Sequence, residues 1–286
     1  MFQINESEPK NTKFNCNILN FDDYEFSSIC KLQNGELVVV DDKKHEILLF
    51  NDQFDYLKSI KVIDGLQICH PQRIFSENGN VYLVQRNNHQ LFQLDLKFTK
   101  IKRLIRKNGE IYDSNNYPLD IFINSDYIYI LILRGLKTCL QVFNLNGDFE
   151  NEISLTKIIN SSIPAIDILK NENKKLKLKI KNHIVFVMSE TKIYIFDLEG
   201  ILKNKIRVNN LNSFCFMNNF LITHSEDGYV RFYRTKDNLF EKYCFNRVIE
   251  EHVSSIKSKS TFIEYVNKKL MIFLTDQNSL AFVNIE

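Results

Sequence analysis

The sequence predicts an all-β fold: a six-bladed β-propeller of four-stranded antiparallel blades, its ring closed by an N-terminal strand that completes the last blade. Three observations carry the prediction. Gln33–Lys61 overlies Glu77–Ile105 at an offset of 44 residues without a gap, a period that suits one four-stranded blade. Six units each end in an apolar residue followed by a polar one: Phe50-Asn51, Leu94-Asp95, Phe143-Asn144, Phe196-Asp197, Tyr233-Arg234 and Val283-Asn284. Two-residue alternation prevails over helical periodicity in every long window.

The elements follow in order. An orphan strand, Phe14–Leu19, precedes the first unit, which begins near Tyr24. The last unit stops at Glu286 before any outer strand, so donation of residues 14–19 to that unit would leave no open edge. A single domain is expected, with blades over 21–63, 64–107, 108–157, 158–208, 209–248 and 249–286, and the closing strand within 1–20. Asn34-Gly35 and Asn78-Gly79 lie between apolar runs, the signature of a tight hairpin joining a first strand to a second. Asp227-Gly228 has the same character between the second and third strands of the fifth unit. Pro71, Pro118 and Pro164 stand just ahead of first strands, where a missing N–H need not join the ladder. Runs such as Tyr127–Leu131 and Ile184–Val187 read as strands buried on both faces. Leu57–Lys61 and Ile101–Leu104 alternate, as an outer edge strand with solvent-facing lysine does.

Composition narrows the function classes. Hydrophobic residues at 44% and charged residues at 25% argue against disorder, and 23 Phe and 12 Tyr with no Trp favour sheet. A net charge of +2 gives no global attraction to nucleic acid or acidic membrane, so any such site must be a local patch. No secretory leader or membrane span is read, and a cytoplasmic location is expected, with the nucleus as a second possibility. Cys30, Cys139, Cys215 and Cys244 sit in apolar runs and read as buried free thiols.

The residues of the first two units resemble the NHL repeat. Unit one gives Gly35–Asp41, then His45-Glu46-Ile47, then Phe50-Asn51. Unit two gives His70-Pro71-Gln72-Arg73-Ile74, then Gly79–Val84, then Asn88-His89-Gln90-Leu91. Unit three keeps its proline and replaces the Asn-His turn with Arg134–Lys137, and units four to six have lost most of the signature. Unit five, Ser225–Tyr233, is similar to a WD repeat without its Trp-Asp ending. Both resemblances imply a propeller. The NHL resemblance further implies a binding face, which in related proteins includes RNA binders.

Turns between second and third strands share one face with the links between blades. That face carries Lys43, Lys44, His45, Arg86, His89, Arg134, Lys137 and Lys192 in the turns, with Arg73, Arg106 and Lys107 at first strands and links. Units one to four are more basic than acidic there, and units five and six are acidic or neutral. Basic side chains would contact phosphates, with Tyr112, Tyr117 or His89 stacking on bases. A solvated rim explains the same residues without a ligand. The run Lys170–Lys181 puts Lys175, Lys177, Lys179 and Lys181 on one face of a strand, read as a lengthened, solvated hairpin on the opposite side.

His45 and His89 recur at one turn without a third ligand, so no metal site is assigned and turn hydrogen bonding is their expected role. Asp120 and Asp167, with Glu264, are the acidic candidates for the central channel; a metal site would need several such groups converging, and isolated carboxylates hydrogen-bonded to backbone are the favoured reading. No G-x-S-x-G, H-E-x-x-H or phosphate-cradling glycine motif is present. The expected function is therefore a non-catalytic, monomeric propeller that binds a protein partner and needs no cofactor, no metal and no membrane. The alternatives are RNA binding through the basic sector of blades one to four, and a metal-dependent hydrolase or lactonase using the channel carboxylates.

Overall fold

β-Branched and aromatic runs punctuated by Asn, Asp and Gly turns form strands, and no helix occurs among the described residues. The computed structural model describes residues 14–21, 23–85, 90–104, 116–135, 137–155, 176–217, 220–226, 229–235, 245–252, 260–266, 269–274 and 279–285. The fold is a β-propeller of small antiparallel sheets. No helix of the described residues is long and apolar enough to cross a membrane.

β1 (Phe14–Asn20) stands apart in sequence from its sheet. The first sheet contains β2 (Phe26–Lys31), β3 (Leu37–Asp41), β4 (Glu46–Phe50) and β5 (Tyr56–Ile60), hydrogen-bonded in that order. A two-stranded hairpin, β6 (Val62–Ile63) with β7 (Leu66–Gln67), leads to the second sheet. That sheet is β8 (Pro71–Glu77), β9 (Asn80–Gln85), β10 (Gln90–Leu94) and β11 (Ile101–Arg103). The third is β12 (Asn116–Ile123), β13 (Tyr127–Arg134), β14 (Lys137–Asn144) and β15 (Phe149–Ser154). The fourth is β16 (Lys177–Lys181), β17 (Ile184–Met188), β18 (Lys192–Phe196) and β19 (Leu202–Arg207). The fifth is β20 (Leu211–Met217), β21 (Phe220–Ser225), β22 (Tyr229–Thr235) and β23 (Phe245–His252). In the last sheet β24 (Ser260–Val266), β25 (Lys269–Leu274) and β26 (Ser279–Ile285) are followed by β1, which pairs antiparallel with β26 from Phe14–Ile285 to Asn20–Ser279.

The core lies between successive sheets. Val38 and Val40 of β3 pack with Ile74, Val81 and Leu83 of the second sheet, while Val39 faces the other way toward Phe26 and Phe50. Alternate residues therefore serve opposite faces, and both faces are dry. This is why the strand reads as an unbroken Leu37–Val40 run. The same construction joins Tyr82 to Ile130 and Ile132, Leu131 and Leu133 to Val185 and Val187, and Phe186 to Phe214 and Leu221.

The apolar–polar endings acquire a physical cause. Asn51 Oδ1 accepts the N–H groups of Gln53 and Asp55 at 3.0 and 2.8 Å. Asp95 Oδ1 accepts those of Thr99 and Lys100 at 2.7 Å each, and Asn144 Oδ1 those of Asn146 and Asp148 at 3.0 Å each. Asp197 Oδ1 accepts the Ile201 N–H at 2.7 Å. Three residues after each ending the chain is left-handed: Phe54, Phe98, Gly147 and Gly200. The side-chain oxygen thus closes the turn between third and fourth strands, with no need for glycine at every copy.

The hairpins between first and second strands differ from one another. Asn78 and Gly79 both have positive φ, at 48° and 74°, as a two-residue primed turn requires. In the first sheet only Gly35 does, because the turn runs Leu32–Gly35 with the Gly35 N–H on the Leu32 carbonyl at 3.0 Å. The lysine-rich run also differs from its expected place. Lys177–Lys181 is itself the first strand of the fourth sheet, and Lys177 is only 6% exposed. Packing of β16 against β12 draws the stripe inward, so the reading as a solvated hairpin is corrected. Lys175 lies outside the described residues. Cys30, Cys69, Cys139 and Cys215 are free thiols, the last two buried.

Candidate functional site

Two groups of polar side chains gather at the end of the sheets where links meet the turns between second and third strands. The first lies on the inner strands. Five of these strands carry a register shift near their start, after which come Ser28, Arg73, Asp120, Ser213 and Phe262. A bulge of this kind re-aims the residue that follows it. Arg73, Asp120 and Ser213, from three different sheets, then line one cleft with Phe75, Lys177 and Lys179.

Asp120 is the hub of this group. Its Oδ1 accepts Arg73 Nε–H and its own neighbour's Ile121 N–H at 2.9 Å each, and its Oδ2 accepts the Leu178 N–H at 2.7 Å. Lys177 donates from Nζ to the Asn212 carbonyl at 2.8 Å. Four sheets are tied together by these contacts. Asp120 is thus a carboxylate hydrogen-bonded to backbone N–H groups and to Arg73, the favoured expectation for it, and both its oxygens are engaged. Asp167 lies outside the described residues, as does the side chain of Glu264.

The second group is built by the turn between β3 and β4 and by the link into β8. Asp41, fully buried, accepts the Lys44 N–H at 2.7 Å on Oδ1 and the Glu25 N–H at 3.1 Å on Oδ2, fixing the turn's shape. Burial holds its carboxyl above the usual range, against those amide hydrogen bonds. On the turn so held stand Asp42 and His45. From the link comes His70, whose Nδ1 lies 3.2 Å from Asp42 Oδ1. The His70 backbone N–H donates to His45 Nδ1 at 3.0 Å, and the two rings meet edge to face with centroids 4.0 Å apart. Both histidines hold left-handed backbone, φ 57° for His45 and 45° for His70. Each such conformation costs about 1–2 kcal/mol for a side chain with a Cβ, and the surrounding contacts maintain it.

The partners dictate the protons. A carboxylate only accepts, so His70 carries hydrogen on Nδ1, which in a neutral ring puts the lone pair on Nε2. His45 accepts on Nδ1, so its neutral ring carries hydrogen on Nε2. One ring is a base oriented by a carboxylate, and the ring beside it is a donor. Donor atoms of Asp42, His45 and His70 lie within 4.8 Å of one another, so the three could also hold a metal ion. His45 Nδ1 and Asp42 Oδ1 already take part in hydrogen bonds, which leaves the Nε2 atoms and Asp42 Oδ2 as the other donor atoms of the group.

The other residues expected at this face are separated by their own contacts. Lys43 forms an ion pair with Asp23, and Lys44 Nζ lies 3.3 Å from the centroid of the Tyr24 ring. Arg134 pairs with Glu152 at 3.1 Å, across from the exposed Lys137 at the other end of the same turn. Lys192 opens β18 opposite Arg207, away from the histidines in sequence and sheet. Arg73 belongs to the cleft. Arg86, His89, Arg106, Lys107 and Tyr112 lie outside the described residues, as does the side chain of Tyr117. His70 was missed as a site residue because it was read only as part of the Pro71 signature. Its signal was a histidine immediately before a strand-opening proline, on the same face as the His45 turn.

No protein-family model and no curated protein sequence matches the chain. Solved structures do match in shape. Virginiamycin B lyase from Staphylococcus aureus aligns over 96% of this chain and 100% of its own, at 10% identity and a TM-score of 0.55. A catalytically inactive histidine-to-alanine form of that lyase with quinupristin aligns over 96% and 100%, at 10% identity and a TM-score of 0.58. A structure of U3-55K covers 94% of this chain and 98% of its own, at 7% identity and a TM-score of 0.60. At these identities the likeness is one of fold.

These neighbours correct two expectations. The reading as a non-catalytic scaffold for a protein partner, and the reading as no enzyme, both rested on missing contiguous motifs. Lyases occur among the matching propellers, so the fold gives no ground for either reading. A site assembled from a turn of one sheet and the link into the next leaves no contiguous motif, and His45 and His70 are such a pair.

Proposed function

We propose that this protein is an acid–base enzyme built on a six-bladed propeller, cleaving a carbon–oxygen bond with His70 as base and His45 as hydrogen-bond donor. The observation that carries this is the Asp42–His70 contact with the His45 ring 4.0 Å away. Asp42 fixes the tautomer and orientation of His70. Its Nε2 takes a proton either from the carbon next to the C–O bond, whose electron pair forms the C=C bond as the oxygen leaves, or from a water whose oxygen bonds to the carbon that the leaving oxygen gives up. The Nε2–H of His45 then stabilises, or delivers its proton to, the oxygen that develops negative charge. Propeller neighbours that are lyases, one of them inactivated by loss of a histidine, support an enzymatic reading. The six four-stranded sheets are taken as six blades, and the pairing of Phe14–Asn20 with Ser279–Ile285 as closure of the ring. The Gly35–Asn51 and His70–Leu91 signatures support an NHL-like origin for the first two blades.

The test is a panel of esters, lactones and quinupristin, followed by mass spectrometry in isotopically labelled water. Hydrolysis incorporates the label and elimination does not. Wild-type protein is expected to turn over at least one compound, and His70→Gln to lose about 10²–10⁴-fold of that rate. Retention of the wild-type rate in His70→Gln refutes the assignment of the base, and failure on every compound class counts against an enzyme.

A further inference from the structure

Asp42, His45 and His70 are a set of metal donors as well as a path for protons. Two imidazoles and a carboxylate are the kind of ligands that zinc takes in threes, with its fourth position left to water or substrate. The three side chains offer one donor atom each within 4.8 Å of one another. Zinc bonds of about 2.0–2.2 Å set tetrahedral donors about 3.3–3.6 Å apart. His70 Nδ1 and Asp42 Oδ1 stand at 3.2 Å, already close to an edge of that size. The His45 ring centroid is 4.0 Å from that of His70, so a small rotation brings a third donor to the same centre. Nitrogen donors disfavour magnesium and calcium, which take oxygen.

The exchange is one cation for another. A proton bridges His70 Nδ1 and Asp42 Oδ1; zinc takes its place, bonds to both atoms and leaves the His70 ring with its hydrogen on Nε2. His45 Nδ1 turns from the His70 N–H to the ion, and that amide passes to water beside a side chain that is 38% exposed. The Asp42 side chain is 16% exposed, so the ion enters from solvent while most of the carboxylate stays out of it. Charge around the turn suits a cation. Asp23, Glu25 and Asp41 all act on the charge of Lys43, and Lys44 is held over the Tyr24 ring. With Asp42 added, acidic groups outnumber basic ones at this turn.

We propose that Asp42, His45 and His70 bind a zinc ion, and that the bound ion silences the base. The metal site stands on geometry and donor chemistry alone. Its inhibitory effect rests on the acid–base reading, because zinc on Nδ1 puts hydrogen on His70 Nε2, the atom that would accept the substrate's proton.

The first test reads binding and not turnover. The full chain, treated with a chelator and dialysed, is titrated with zinc by calorimetry and with cobalt(II) by visible absorption. One ion per chain is expected, with cobalt bands that zinc bleaches and no comparable binding of magnesium. Asp42→Asn, His45→Asn and His70→Asn should each weaken zinc by about 100-fold or more, since even an outer partner of a ligand is worth about 10–100-fold. Asparagine suits these positions because it tolerates left-handed backbone. His183→Asn, an exposed histidine at φ 61°, is the matched control and should leave binding unchanged. If a variant does not fold, zinc protection of His45 and His70 from diethyl pyrocarbonate in the wild type, read by peptide mass spectrometry, decides instead. Absence of saturable zinc binding, or wild-type affinity in all three variants, overturns the site. The second test adds zinc to any reaction found in the substrate panel: loss of the rate, restored by chelator, is expected. An undiminished rate at saturating zinc overturns the inhibition, whereas zinc binding with a silent panel supports the metal site and counts against the acid–base reading alone.

Discussion

Replacing Asp120 with alanine removes the acceptor of three hydrogen bonds, two of which reach the first strands of neighbouring sheets. Arg73 loses a carboxylate at 2.9 Å in a setting where its side chain is 11% exposed. Breaking one partner of a buried pair costs about 3–5 kcal/mol, and the Leu178 N–H, donor at 2.7 Å, loses its acceptor for about 1–3 kcal/mol more. The two losses share one carboxylate and do not add fully, so about 4 kcal/mol is expected. For a chain of this size each kcal/mol moves Tm by roughly 2–4 °C, which puts the variant roughly 8–16 °C below wild type. Urea unfolding at neutral pH, followed by circular dichroism and by tyrosine emission in a protein without Trp, measures it. A second variant, Arg73→Met with Asp120→Leu, removes both charges and should recover most of the loss. A change below about 1 kcal/mol in Asp120→Ala refutes the hub. A double variant as unstable as the single one would show that packing, and not the abandoned arginine, sets the cost.

Gly200→Ala should destabilise by about 2–4 kcal/mol in the same assay, because φ is +80° and an added Cβ would lie 2.6 Å from Ile153 Cγ2. Ile153→Val in that background should return part of the loss. Burial pushes the Cys139 thiol up to about 11, so native protein at pH 8 should leave it unmodified by a thiol reagent that labels the unfolded chain quickly. The linkage has a definite sign: between the ordinary thiol range and about pH 11 the unfolded chain releases this proton while the native state keeps it, so stability falls as pH rises. Cys139→Val should flatten that part of the stability profile.

Much of the architecture was readable because its causes are local. The Asn51, Asp95, Asn144 and Asp197 endings mark the same turn, each closing it with a side-chain oxygen, and so they repeat in sequence. Unbroken apolar runs announce strands packed on both faces, as Leu37–Val40 does. The sites were less legible because they are products of juxtaposition. His45 and His70 come from different sheets' connections, and a one-dimensional search paired His45 with His89, its repeat equivalent, instead of with its spatial neighbour. Lys177 and Lys179 were visible as an alternating stripe, but alternation does not say which face is buried. That depended on β16 being the inner strand of its sheet, packed against β12. Asp120 is legible as a first-strand carboxylate hydrogen-bonded to backbone, but its partners are not, because the Leu178 N–H lies 58 residues away.

The pairing of β1 with β26 has a consequence for how the molecule is made. Contacts between strands so distant in the chain form late, after the intervening loops have closed. While a ribosome is still extending the chain, Phe14–Asn20 has been synthesised and its partner Ser279–Ile285 has not. For that interval the β26-side edge of β1 is an unsatisfied template for any passing strand, a hazard that ends when the last sheet is completed.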